Sequence, residues 1–172
     1  LNLKRISVTG PESTGKSELA KELSAYYGTL YVPEYAREYL TKLGRAYVFD
    51  DIAEIARGQM ELESRLAEKA GKLLFCDTDP LVTKIWSSFK YGKCDPWIEE
   101  QVTNHRYDLY LLCGIDLPWE ADPMRENPDE REEIFNLYLE ELQLMKAPFS
   151  IISGMGERRL RNAILAVKMA FE

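Results

Sequence analysis

Gly10-Pro11-Glu12-Ser13-Thr14-Gly15-Lys16-Ser17 satisfies the template GxxxxGK[ST] at every fixed position. A loop of that spacing turns its backbone N–H groups inward around a polyphosphate, with glycine where a side chain would block the turn. Lys16 reads as a mobile positive charge for the β- and γ-phosphates, and the Ser17 hydroxyl as a Mg²⁺ ligand. Gly10, Ser13, Thr14 and Gly15 complete the expected nucleotide-binding set. The flanks supply the required context. Residues 3 to 9 form a β-branched run that stops at Gly10, and Leu19, Ala20, Leu23 and Tyr26 recur at helical spacing. Strand, loop and helix therefore follow one another as a phosphate loop needs.

Outward from the loop, the first helix is predicted to end at Gly28, and residues 30 to 33 read as a short strand. A helix from Glu34 to about Gly44 follows, and then a long amphipathic one capped by Asp50 and running towards Gly71. Residues 73 to 77 make a buried strand ending in a carboxylate. Asp79-Pro80 and Asp95-Pro96 each open a helix, the second reaching about Tyr107. Residues 109 to 113 and 149 to 152 are two more strands, and 157 to 171 a last helix. Residues 116 to 131 are broken by proline and charged, as a lid is, and Asn127-Pro128-Asp129-Glu130 reads as a helix start. The alternation predicts an α/β fold of three layers: a five-stranded, mainly parallel sheet between helices, in a single domain over 1–172.

Composition narrows the function. At 172 residues and 45% hydrophobic, the chain suffices for one well-buried core. Its 22 basic and 29 acidic residues leave a net charge of −7, which disfavours nucleic acid as the main partner. Cys76, Cys94 and Cys113 are far apart and form no CxxC pair, so free thiols are expected, and the lone His105 cannot build a His-rich metal site. Nowhere do 18 apolar residues run together, and no membrane span or signal peptide is expected; the reading is a soluble cytoplasmic protein. Nothing in the sequence indicates its oligomeric state.

Ligands of such a sheet collect at the C-terminal ends of the strands, which selects Glu34, Asp77, Asp79 and Asp116. Asp77 is expected to join Ser17 at Mg²⁺. Asp79 either contacts the acceptor or caps a helix. Glu34 either serves a substrate hydroxyl as base or positioner, or favours a helix N-terminus. Arg37, one turn on, is expected to pair with Glu34 or reach substrate. Arg125 and Arg131 lie where a closing lid brings cations to a transferring phosphoryl group, and Trp119 is the least core-like aromatic.

With Val32-Pro33-Glu34-Tyr35-Ala36-Arg37-Glu38, Cys76-Asp77-Thr78-Asp79, Thr83-Lys84-Ile85-Trp86 and Asp116-Leu117-Pro118-Trp119 beside the phosphate loop, the chain resembles the ribosylnicotinamide kinase domain of bacterial NadR-type NAD-biosynthesis proteins. The resemblance implies a P-loop kinase fold and ATP-dependent phosphorylation of the 5′-hydroxyl of nicotinamide riboside to nicotinamide mononucleotide. It further implies ATP and Mg²⁺ as cofactors. It also implies that Glu34, Asp79 and Trp86 lie near the nucleoside. On the reading of the residues themselves, Lys16, Glu34, Asp77 and Arg125 are the expected catalytic set, and Arg37 and Trp119 join the expected substrate-binding residues. Two departures stand out. No HxGH motif of the adenylyltransferase partner occurs, so the second NAD-forming step is expected of another protein. Asp122-Pro123-Met124-Arg125 replaces the family's Asp-Gly-x-Arg, and Pro123 is expected to stiffen the lid. Two other readings remain: a kinase of another nucleoside or small metabolite, and a regulatory P-loop ATPase switch. Against a GTPase switch, neither Asn-Lys-x-Asp nor Asp-x-x-Gly is present.

Overall fold

Near-continuous apolar runs in the central strands dictate a sheet covered on both faces. β4 (Leu109–Cys113) sends Leu109, Leu111 and Cys113 to one face and Tyr110 and Leu112 to the other, and all five are buried. β1 (Lys4–Thr9), β2 (Leu30–Val32), β3 (Leu73–Asp77) and β5 (Phe149–Ile152) complete a five-stranded sheet in the order β2-β3-β1-β4-β5, and every pairing is parallel. Residues 2–171 are described in this computed structural model.

α1 (Lys16–Tyr27) and α7 (Gly156–Phe171) cover one face, where Leu19, Leu23, Ala163 and Val167 meet Ile6, Val8, Phe75 and Leu111. α3 (Phe49–Ala67), α4 (Pro80–Tyr91), α5 (Pro96–Asn104) and α6 (Arg131–Leu144) cover the other, and α2 (Tyr35–Leu43) packs against α3. β1 lies between β3 and β4, so chain connections diverge to either side of it. The crevice at such a switch point is where open α/β sheets bind ligands. The phosphate loop leaves the C-terminal end of β1 into that crevice. No helix among the described residues is long and apolar enough to cross a membrane, and all three cysteines are free thiols.

Some boundaries differ from the sequence expectation, each for a tertiary reason. Asp51, not Asp50, serves the start of α3. Its carboxylate accepts the Val48 N–H at 2.7 Å, the Tyr39 hydroxyl at 2.8 Å and two Arg45 guanidinium bonds at 2.7 and 2.9 Å. The Arg45 pairing holds its pKa well below the usual carboxylate range. α6 begins at Arg131 rather than just after Asn127, because Asn127 donates its backbone and side-chain N–H groups to Glu12 at 3.0 and 3.4 Å. α3 ends at Ala67 and α5 at Asn104, short of Gly71 and Tyr107. Tyr107 is instead buried, its hydroxyl donating to the buried Glu63 carboxylate at 2.6 Å.

Candidate active site

The phosphate loop is shaped by left-handed backbone at three positions: φ is 134° at Gly10, 55° at Ser13 and 75° at Gly15. Gly10 also needs the missing Cβ for space, since one would stand 3.0 Å from the Cys113 carbonyl oxygen. Thr14 donates its hydroxyl to the Pro11 carbonyl at 2.8 Å, and the Lys16 ammonium donates to the same oxygen at 2.7 Å. Arg159 braces the loop from behind. It is buried, and its guanidinium donates to the carbonyls of Thr14 at 2.5 Å, Gly154 at 2.9 Å and Gly114 at 3.1 Å.

A cavity of about 340 Å³ opens in front of the loop. Its wall contains Gly10 to Glu18, and beyond them Glu34, Arg37, Trp86 and Arg125. The expected site residues Lys16, Ser17, Glu34, Arg37, Trp86 and Arg125 thus share one concavity with the glycines and hydroxyls of the loop. Phe89, Lys90, Ile134 and Tyr138 add an apolar side with one cation.

Asp77 stands behind Ser17, whose hydroxyl donates to Asp77 Oδ2 at 2.5 Å. The other oxygen, Oδ1, is buried without a protein partner. Burial, and then the nearby Glu34 charge, push the Asp77 pKa up to about 6. An under-coordinated carboxylate oxygen beside a hydroxyl is a hard-oxygen pair that fits a divalent cation such as Mg²⁺. Among the described residues no group of three or more His, Cys, Asp or Glu could hold a metal. A cation here would need water or substrate oxygens for its remaining ligands.

Asp79 is placed differently from the expectation of acceptor contact. Two residues apart on a continued strand, it would share a face with Asp77. Thr78, however, adopts φ 86°, left-handed for a β-branched residue, and the chain turns. Asp79 ends buried against the Ser7 hydroxyl, which donates to it, and accepts the Val82 N–H at 3.1 Å as the cap of α4. It does not line the cavity. Trp119 likewise lies off the wall, with the Arg131 guanidinium 5.8 Å from its ring centroid. Arg37 pairs with lid residue Asp122 at 3.0 Å and not with Glu34.

The segment between β4 and α6, residues 114–130, which contains most of the expected lid, is clasped to the loop. Glu12 accepts the N–H groups of Glu126 and Asn127 at 3.1 and 3.0 Å. Ser13 Oγ accepts from the Glu120 N–H at 2.9 Å and from Arg125 at 3.4 Å. Arg131 donates to the Ser13 and Leu117 carbonyls at 3.1 and 2.9 Å. Pro123 fits its place: Asp122 to Arg125 form a turn closed by the Arg125 N–H on the Asp122 carbonyl at 2.9 Å, with proline at the second position, where its fixed φ is favourable.

Several participants escaped the sequence reading. Gln59, a polar residue on the buried face of α3, accepts the Tyr35 N–H at 2.7 Å and donates to the Pro33 and Asp77 carbonyls at 3.2 and 3.4 Å. It thereby fixes the turn that carries Glu34. Arg159 sits on the buried stripe of α7 with Ala163 and Val167, and a lone arginine on that stripe was the available signal. Tyr47 and Lys90 gave none, because their partners lie far along the chain: Trp86 and Lys90 on α4 meet Tyr47, and Glu126 in the segment before α6 meets both Tyr47 and Lys90.

An AAA domain family profile matches residues 5–159. The trifunctional NAD biosynthesis/regulator protein NadR of Escherichia coli (strain K12) is 30% identical over 147 residues, covering 82% of this chain and 36% of that protein. A solved NadR structure, described as a complex with NR, superposes with a TM-score of 0.86 at 24% identity, over 98% of this chain and 51% of the other. Thymidylate kinase from Ehrlichia chaffeensis gives a TM-score of 0.66 at 15% identity, over 98% and 99%. The chain spans about a third of the length of the curated NadR relative. Five parallel strands between helical layers, a phosphate loop at the switch point and these matches together show that the chain belongs to the AAA domain family, with a P-loop kinase fold homologous to part of NadR.

Proposed function

We propose that the protein is an ATP-dependent nicotinamide riboside kinase, producing nicotinamide mononucleotide and ADP. The observation that carries this reading is the single cavity onto which the phosphate loop and the Glu34–Trp86 wall both open. Donor phosphates and an acceptor hydroxyl can meet there with little water between them. Homology to NadR over 147 residues supports the choice of acceptor. So does charge: nicotinamide riboside carries a cationic ring, which the Trp86 face and the carboxylates of Glu12 and Glu34 favour over a neutral base. Free thiols at Cys76, Cys94 and Cys113 support a reducing compartment such as the cytoplasm.

In this reading the 5′-oxygen of the riboside forms a bond to the γ-phosphorus while the bond to the β–γ bridging oxygen breaks. ADP departs with that electron pair, and the hydroxyl proton passes to Glu34. Lys16, released from the Pro11 carbonyl, moves to the β- and γ-phosphate oxygens. Arg125 already stands beside Ser13 of the loop, so its charge faces the transferring group when the lid is shut. Ser17 and Asp77 would hold Mg²⁺, which when bound neutralises phosphate charge. Arg37 and Asp122 tie α2 to the lid and help to exclude water.

A panel of acceptors tests the proposal: nicotinamide riboside, adenosine, deoxynucleosides and no acceptor, each with ATP and Mg²⁺. ADP formation should be stimulated by nicotinamide riboside, with nicotinamide mononucleotide appearing in equal amount. Stimulation by deoxynucleosides and not by nicotinamide riboside would make this a kinase of another nucleoside. Slow hydrolysis indifferent to every acceptor would point to a regulatory ATPase instead.

A further inference from the structure

Tyr47 lies outside the cavity wall, just before α3, yet its hydroxyl joins the wall to the lid. Trp86 Nε1 donates to it at 3.0 Å and the Lys90 ammonium at 2.6 Å. Both groups are donors only, so the single phenolic proton must go to the third neighbour, Glu126 Oε2, at 2.5 Å. The phenol thus uses its whole hydrogen-bonding capacity, one bond given and two taken. Its ring is packed edge-on against Trp86, with centroids 5.0 Å apart and planes at 70°. Lys90 closes the cluster with an ion pair to Glu126 at 2.8 Å and lies 3.9 Å from the Tyr47 ring centroid.

Two of these partners have consequences elsewhere. Trp86 and Lys90 line the cavity on the acceptor side. Glu126 belongs to the lid, and its backbone N–H is the one received by Glu12 of the phosphate loop at 3.1 Å. Glu126 is therefore held by its main chain to the donor half of the site and by its side chain to the acceptor half. We propose that Tyr47 is a positioning residue that couples closure of the lid to occupancy of the acceptor pocket, by joining the Trp86 ring to Glu126 through one hydroxyl. This deepens the kinase reading, on which it rests for the nature of the acceptor.

The coupling works through differential contact. A nucleoside base seated against Trp86 fixes the indole in the orientation that reaches Tyr47. The hydroxyl then retains both donors and its proton stays directed at Glu126. A ring turned away withdraws one donor and loosens the lid. An acceptor that favours the closed lid must in turn be favoured by it to the same factor. Arg37–Asp122 also ties the lid to the acceptor side, but Arg37 is half exposed and that ion pair engages no aromatic wall. Tyr47 links the lid directly to a ring of the pocket.

The test measures binding of nicotinamide riboside by calorimetry, with and without a non-hydrolysable ATP analogue and Mg²⁺. It uses the wild type, Tyr47→Phe, Glu126→Ala and the double variant. Tyr47→Phe keeps the ring packing on Trp86, and Glu126→Ala removes the acceptor oxygen by truncating a side chain that is more than one-third exposed, so folding is not at stake in the second. In the wild type the analogue should tighten riboside binding about tenfold, within the usual range of such couplings. Each single variant should bring that factor to within about twofold of unity, and the double variant should go no further, since both remove one link. An undiminished factor in Tyr47→Phe, or effects that simply add in the double variant, would overturn the proposal. Amide hydrogen exchange at Glu126 and Asn127, with the ATP analogue alone, reads the latch without an acceptor. Exchange should be about tenfold faster in both single variants, a factor within the same range of couplings, and unchanged exchange would overturn it. If the wild type binds no riboside, the kinase reading fails, and the amide exchange still decides the latch.

Discussion

Replacing Asp77 by asparagine should change how stability depends on pH. The carboxyl has an ordinary pKa of 3.8, raised to about 6 in the fold by burial and by Glu34. Between those values the folded chain therefore holds a proton that the unfolded chain has lost. Folded-state proton excess means that stability falls as pH rises across this window and is flat well above it. The full shift of roughly 2 units corresponds to about 3 kcal/mol, and between pH of about 4 and about 7 some 2–3 kcal/mol of it is expressed. An amide at this position cannot ionise, so the stability of Asp77→Asn minus that of the wild type should grow by that amount over the same interval. The absolute difference is less informative, because the new amide group takes the place of an oxygen that already lacks a partner. Urea unfolding at a series of pH values without divalent ions measures the difference. Adding millimolar Mg²⁺ should shrink it in the upper part of the range, because a cation at Ser17 and Asp77 stabilises only the ionised carboxylate. A difference constant to within about 0.5 kcal/mol from low to neutral pH would refute the burial argument, since the linkage relation then requires matching proton uptake. A difference that ignores Mg²⁺ would remove Asp77 from the metal site.

Glu34→Gln should reduce kcat by about 10²-fold or more with little change in the KM for ATP, as loss of a general base does, and should also move the Asp77 titration back towards its ordinary value, because Glu34 is one cause of the shift. Steady-state kinetics and the same unfolding series check both effects, and intact kcat would leave Glu34 only a helix-start role. Arg125→Ala should lower kcat about 10³-fold, on the scale of arginine fingers, with riboside affinity nearly unchanged in equilibrium binding. Gly58→Ala should destabilise the fold by about 1–3 kcal/mol or more through overpacking. Its Cβ would meet the Tyr35 ring at 2.0 Å, and Gln59 holds the Tyr35 backbone in place. Chemical unfolding measures that loss, and wild-type stability in this variant would show that the ring yields freely.

The strands and helices were legible because their signals are local. Gly28 stops α1 in the left-handed region, with φ 60°, as the sequence position suggested. Asp79-Pro80 and Asp95-Pro96 do open α4 and α5, each aspartate accepting a backbone N–H of the first turn. α6 starts later than the local signal suggests because the same residues that make a good helix start, Asn127 and its neighbours, are recruited by Glu12, more than a hundred positions earlier. Asp79 illustrates the limit within the site. Its type and place after β3 suited both a cap and an acceptor ligand, and only the turn at Thr78 separates those outcomes. Arg37 likewise met a partner in the lid and not the glutamate one turn before it.

By itself the sequence determined the phosphate loop, the alternation of strands and helices, and the set of strand-end carboxylates, since glycine positions, helix caps and hydrophobic period act over a few residues. The tertiary structure alone decided the strand order, which carboxylate faces the cavity, and the joining of lid, phosphate loop and aromatic wall at Glu12, Glu126 and Tyr47. The physical reason is range: a side-chain hydrogen bond depends on where two distant backbones have been brought by packing, and no pattern within either segment encodes the other's position.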